Sequence, residues 1–187
     1  VFPYKIAPVQ VAVVPILKTG ADNKKLVEYA KKLGKKLSKK GVRVEVDVSE
    51  QTAGSKYYYW ELRGASLRVE VGQRELAEGK LTVARRDTGL KEQLSEKEFL
   101  SKLRGYEKLI RENLVSKADA WFNSQLHEAK TMSELKECLG KGGFTRIALC
   151  SDEMNGKECA DKIKAELGGD VRGVRADKKE KPSGETC

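Results

Sequence analysis

Residues 10–17, Gln-Val-Ala-Val-Val-Pro-Ile-Leu, form a continuous apolar run. Such a run suits a strand buried on both faces, which requires layers of structure above and below it. Pro15 has no backbone N–H, so the strand is expected to end there. A helical pattern follows, with Leu26, Ala30, Leu33 and Leu37 on one stripe. Asp22 is its expected N-cap and Gly41 its expected C-cap. Val42-Arg-Val-Glu-Val-Asp-Val48 alternates and predicts a second strand. Tyr57-Tyr-Tyr-Trp-Glu-Leu-Arg63 predicts a short helix ending at Gly64. Leu67–Val71 and Lys80–Ala84 predict two more strands, joined through Gly72 to Gly79. The order β-α-β-α-β-β describes a small mixed sheet, parallel at first and antiparallel at its end.

Ser95-Glu-Lys-Glu98 is a capping box that opens a long helix carrying Phe99, Leu103, Tyr106, Ile110 and Leu114 on one stripe. The helical pattern continues through Trp121, Leu126 and His127, the sole histidine. Thr131-Met-Ser-Glu134 caps a further helix ending at Gly140. Phe144–Cys150 predicts a strand, Lys157–Leu167 a helix, and Val171–Val174 a last strand. The fold class is therefore α/β: one domain over residues 1–93, then a linking helix and a smaller α/β domain over residues 94–187.

The net charge of +9 on 187 residues favours an anionic partner such as nucleic acid. Lys24, Lys25, Lys31, Lys32, Lys35, Lys36, Lys39 and Lys40 crowd the polar face of the first helix. Most of them fit a solvated face better than a phosphate track, though they add to the field that draws in RNA. No apolar run approaches the ~18 residues of a membrane span. Four cysteines are too few for a disulfide scaffold, so a cytoplasmic setting is expected. The N-terminus, Val1-Phe-Pro-Tyr, has neither an initiator Met nor a signal-peptide layout and suggests the middle of a longer protein.

The string Lys56-Tyr-Tyr-Tyr-Trp-Glu-Leu-Arg-Gly-Ala-Ser-Leu-Arg-Val-Glu-Val-Gly-Gln-Arg-Glu-Leu76, followed by Arg85-Arg-Asp-Thr-Gly89, carries a family resemblance. With Ile6-Ala-Pro-Val-Gln-Val11, it resembles the anticodon-binding domain of class II aminoacyl-tRNA synthetases. It is most similar to the prolyl type of archaea and eukaryotes. Two turns depart from the family string, at Ala65-Ser66 and Gln73-Arg74-Glu75, where the family has prolines.

The resemblance implies a prolyl tRNA partner whose anticodon ends in two guanines. A guanine offers N1–H and N2–H donors on one edge and the O6 and N7 acceptors on another. Glu61 can accept from the first and Arg68 can fork onto the second. The resemblance carries Glu61, Arg68 and Lys91 over as base contacts, and Lys91 could serve either a base or a phosphate. Without the resemblance, an intramolecular Glu61–Arg68 ion pair is the favoured reading. Lys56 is expected at a phosphate. Of Arg85 and Arg86 one is expected to point to RNA and one to the sheet edge, the resemblance favouring Arg86 for RNA, with Asp87 holding one of them. Tyr58 or Tyr59 is a candidate base platform, and Trp60 is assigned to the core.

The family also appends a C-terminal domain with cysteine zinc ligands, implying Cys150, Cys159 and Cys187. Their separations, eight and then twenty-seven intervening residues, are not the tight pairs of a strong zinc signature. The family's fourth cysteine would lie beyond Cys187, so the motif is expected to be cut short there. Reduced thiols without metal remain the alternative, and Cys138 belongs to the core.

The sequence has no P-loop, no dinucleotide glycine pattern and no arginine-bearing catalytic motif, so this chain alone is not expected to adenylate proline. ATP and magnesium belong to the intact ligase. So do the missing catalytic domain and a homodimeric assembly. An RNA-binding accessory protein on the same domain, or a protein-interaction module, are the competing functions.

Overall fold

The computed structural model describes residues 1–18, 20–151, 156–178 and 182. These form two compact units, Val1–Lys117 and Ala118–Cys187.

The first unit is built on β1 (Val11–Pro15), β2 (Val44–Val46), β3 (Leu67–Val71), β4 (Lys80–Arg85) and β5 (Lys91–Ser95). They form one mixed sheet in the order β2-β1-β3-β4-β5. β1 is parallel to β2 and β3; β4 is antiparallel to both its neighbours. β1 ends at Pro15, and the Ile16 N–H then donates to the Val71 carbonyl at 2.8 Å.

Successive side chains on a strand face opposite ways, so each strand contributes to two layers. Val11, Val13, Leu67, Val69, Leu81 and Val83 point into the main core. There they meet Leu26, Ala30, Leu33 and Leu37 of α1 (Lys24–Lys39). Phe99, Leu103, Tyr106 and Ile110 of α4 (Glu96–Ser124) complete that core. The opposite face carries Ala12, Val14, Arg68, Glu70 and Ala84, over which α2 (Ala53–Leu62) lies.

Several expected elements are altered. Asn23, not Asp22, is the N-cap of α1, although the Asp22 carboxylate still accepts from the Lys24 N–H at 3.0 Å. The connection from Gly72 to Gly79 contains a short helix, α3 (Gln73–Ala77), too brief to show a period. β5 was not expected, because a single core residue, Leu94, marks it. The Ser95–Glu98 capping box forms as expected: Ser95 N–H donates to Glu98 at 2.8 Å, and Glu98 N–H to Ser95 Oγ at 3.3 Å. Gly64 closes α2 at φ 75°, and a Cβ there would fall 2.4 Å from the Phe2 ring, so only glycine fits.

In the second unit β6 (Leu126–Glu128) and β7 (Phe144–Arg146) pair in parallel, with α5 (Met132–Lys141) between them in sequence. Leu126 and His127 are therefore strand, not helix, because parallel pairing with Phe144 and Thr145 replaces a further helical turn. Thr131 caps α5, its hydroxyl accepting from the Glu134 N–H at 3.2 Å. α6 (Lys157–Leu167) follows. A small core of Ala129, Leu135 and Ile163 holds this unit together. Val171–Val174 forms no strand, since Gly173 at φ 142° breaks the extended run.

Candidate nucleic-acid interface

The face of the sheet under α2 is lined by small residues around one arginine. Arg68 on β3 has Ala12 and Ala84 as its direct neighbours on the flanking strands, and Lys91 lies one strand beyond Ala84. Two alanines give the Arg68 side chain room to lie between helix and sheet. The Tyr57 ring of α2 covers it, with the guanidinium carbon 3.9 Å from the ring centroid.

Arg68 holds two carboxylates. Its Nη1 donates to Glu61 at 3.0 Å, and its Nε to Glu70 at 3.0 Å. Lys91 also meets Glu70, with Nζ 2.9 Å from Oε1 and 3.1 Å from Oε2. The Glu61 side chain is 38% exposed and that of Glu70 only 8%. Burial first, and then Glu70, push the Tyr57 hydroxyl well above the ordinary tyrosine range. Trp60, Glu61, Ala65, Arg68, Ala84, Arg85, Arg86 and Gly89 line one shallow concavity.

The structure thus brings Glu61, Arg68 and Arg86 onto one concavity, with Lys91 joined to Arg68 through Glu70. The intramolecular Glu61–Arg68 pair is formed. Arg86 is exposed, and its backbone N–H donates to the Ser66 carbonyl at 3.0 Å. Arg85 is held by Asp87 through two bonds of 3.1 and 2.7 Å. Asp87 in turn accepts from Asn113 of α4 at 2.8 Å.

Lys56 is a correction. Its side chain is 1% exposed, and its ammonium donates to the carbonyls of Asp47 at 3.1 Å and Pro15 at 3.4 Å. The first turn of α2 lies over backbone carbonyls at the ends of β1 and β2, so this lysine satisfies them and is not presented to a phosphate. Burial lowers its pKa, partly opposed by Asp47. Trp60 is half-buried, and its indole N–H donates to Asp47 Oδ2 at 2.9 Å. Tyr59 packs edge-on against Trp60, which leaves Tyr58, 75% exposed, as the open ring.

Glu70 and Tyr57 were not expected at the site. The signal for Glu70 was present: Arg68-Val-Glu70 in a strand puts the arginine and carboxylate on one face.

In the second unit the Cys150 and Cys159 sulfurs lie 3.1 Å apart. Two thiols are soft donors of the kind zinc takes, and they fit two of its four positions. Two thiolates on one zinc stand roughly 3.8 Å apart, so the pair would open slightly on loading. Cys187 lies outside the described residues, and among the described residues no group of three donors is assembled. Cys138 is buried, as expected.

Residues 10–106, which span the whole five-stranded sheet and the start of α4, match the family model of the anticodon-binding domain. The chain belongs to the anticodon-binding domain family. This family member is similar to the proline--tRNA ligase of Thermofilum pendens, 38% identical over 182 residues, 96% of this chain and 37% of that protein. The proline--tRNA ligase of Nanoarchaeum equitans is 38% identical over 175 residues, 93% of this chain and 31% of that protein. That of Pyrococcus abyssi is 33% identical over 191 residues, 100% of this chain and 38% of that protein. The chain thus spans about a third of the length of the curated relatives it matches.

Proposed function

We propose that this anticodon-binding domain and the smaller unit after it recognise the anticodon of proline tRNA as part of a proline--tRNA ligase. Attachment of proline, with ATP and magnesium, belongs to the remainder of such a protein, acting in the cytoplasm as a homodimer. The observation that carries the reading is the joint placement of Glu61 and Arg68 on one concavity, with the cation Arg86 on its wall.

The chemistry fits guanine. A carboxylate only accepts, and its two oxygens match the parallel N1–H and N2–H donors of a guanine edge. A guanidinium only donates, and it suits O6 or N7. The Glu61–Arg68 contact is a protein-internal version of the same pairing, which a guanine can replace. Exposed Tyr58 supplies a ring for a neighbouring base, and Arg86 a cation for the backbone.

Arg68→Ala tests this. It is expected to lose at least about tenfold in discrimination between the prolyl anticodon and variants lacking either guanine. Unchanged discrimination would contradict the reading.

Zinc on Cys150, Cys159 and Cys187 is part of the proposal, supported by the convergence of the first two thiols. Its contribution would be to tie the small second core together, as structural zinc does where a core is slight. Metal analysis of the purified chain is expected to find zinc, and Cys150→Ser to lower its content. Metal content unchanged by that substitution would refute the site.

A further inference from the structure

Arg68, which lines the concavity, and Lys91, which lies outside its lining, both lean on one buried carboxylate, Glu70, that also lies outside it. Glu70 is 6% exposed overall. One of its oxygens, Oε1, lies 3.0 Å from Arg68 Nε and 2.9 Å from Lys91 Nζ. Oε2 lies 3.1 Å from the same lysine. Glu61, the other partner of Arg68, lies in the last turn of α2 with its side chain 38% exposed, whereas Glu70 is held inside the central strand with its side chain 8% exposed.

We propose that Glu70 is a positioning residue that makes Arg68 and Lys91 readers of a base edge instead of phosphate hooks; the inference rests on the anticodon reading above. Two physical effects are combined. First, Glu70 fixes the guanidinium by its Nε edge. When a guanine displaces Glu61, the Nη groups are left free and aimed along one direction. A fork with a defined plane discriminates between base edges, whereas a freely swinging one accepts any acceptor. Second, Glu61 and Glu70 together cancel the formal charge of Arg68 and Lys91. A neutral quartet offers little to a phosphate, which every RNA carries, and much to a guanine edge, which needs a donor and an acceptor side by side. The site trades affinity that any RNA could use for affinity that depends on the base.

These effects give a signature that simple damage to the fold does not share. Glu70→Gln keeps size and shape but removes the charge. Arg68 and Lys91 then become available to phosphates. Binding of transcripts with the wrong anticodon is expected to hold or tighten, and its dependence on salt to steepen. Discrimination in favour of the prolyl anticodon is expected to fall by about tenfold. Loss of folding would instead weaken binding of every transcript alike.

The experiment measures binding of the full chain to a prolyl tRNA transcript and to transcripts with either guanine replaced. It compares wild type, Glu70→Gln, Arg68→Ala and the double variant. The part of the effect that runs through Arg68 is absent in the double variant, so any discrimination it loses beyond Arg68→Ala alone is the part carried by Lys91. Should Glu70→Gln fail to fold, Glu70→Asp keeps the charge and retracts it by one methylene. It is expected to lose part of the discrimination while wrong anticodons bind as before. Wild-type discrimination in the folded Glu70 variant, beside its loss in Arg68→Ala, would overturn the role of Glu70 alone. A uniform weakening of all transcripts would also overturn it. Wild-type discrimination in Arg68→Ala would bring down the anticodon reading itself, and this inference with it.

Discussion

Asp47 ties the aromatic helix to the sheet. Its carboxylate accepts from the Trp60 indole at 2.9 Å and the Ser49 hydroxyl at 2.6 Å, with the Lys56 ammonium 3.9 Å away. Burial alone would raise its pKa, but the bonds from Ser49 and Trp60 and the charge of Lys56 outweigh it and hold it below the ordinary aspartate value. A carboxyl lowered in the folded state adds stability above its unfolded pKa and loses it as pH falls through the folded one. Asp47→Asn is therefore expected to lower stability at neutral pH by about 1–3 kcal/mol. It should also flatten the acid limb of melting temperature against pH, measured by circular dichroism. A variant curve parallel to the wild type would contradict the assignment. At this scale one recognisable string points to Glu61 and Arg68, which the fold pairs on one concavity. The same string misplaced Lys56, because a lysine beside three tyrosines looks exposed. Only the fold reveals that two backbone carbonyls lie beneath it.

Among the elements, α1 lies on the core face of the sheet, opposite the face that holds Arg68. Its eight lysines, counting Lys40 at the C-cap, are all exposed. They cannot reach a base seated in the concavity, so on the function proposed above they would act on RNA only through long-range charge. Lys35→Gln is expected to weaken binding of every transcript alike and reduce the slope of log K against log salt by up to about 1. Fluorescence anisotropy over a salt series checks this; a change in the anticodon preference would count against it. Periodicity made α1, β1, β3, β4 and the Ser95 capping box legible, since each has several core residues at its own repeat. It missed α3 and β5, five residues each, where too few core positions exist to show a repeat. It also ran α4 into Leu126, because Trp121, Phe122 and Leu126 continue an apolar pattern that strand pairing interrupts.

For the molecule as a whole, the first unit extends to Lys117 because Phe99, Leu103, Tyr106 and Ile110 fill the core above the sheet. The concavity forms on the other side of that sheet, from α2, β3 and the β4–β5 turn. The Asp87 carboxylate draws Arg85 of β4 and Asn113 of α4 together, so the helix that closes the core also steadies the rim of the site. The α/β order was legible because strand and helix repeats differ. The shape of the site was not, because it depends on Ala12, Ala65 and Ala84, whose smallness matters only once they surround Arg68. On the function proposed above, this surface reads two guanines. Equilibrium binding of the chain to a prolyl tRNA transcript and to transcripts with either guanine replaced, at one fixed salt concentration, tests it most directly. Binding is expected to be tightest to the prolyl anticodon, with a loss of about tenfold or more for each guanine replaced. Equal affinity for all transcripts would contradict that reading and leave charge alone as the cause of binding.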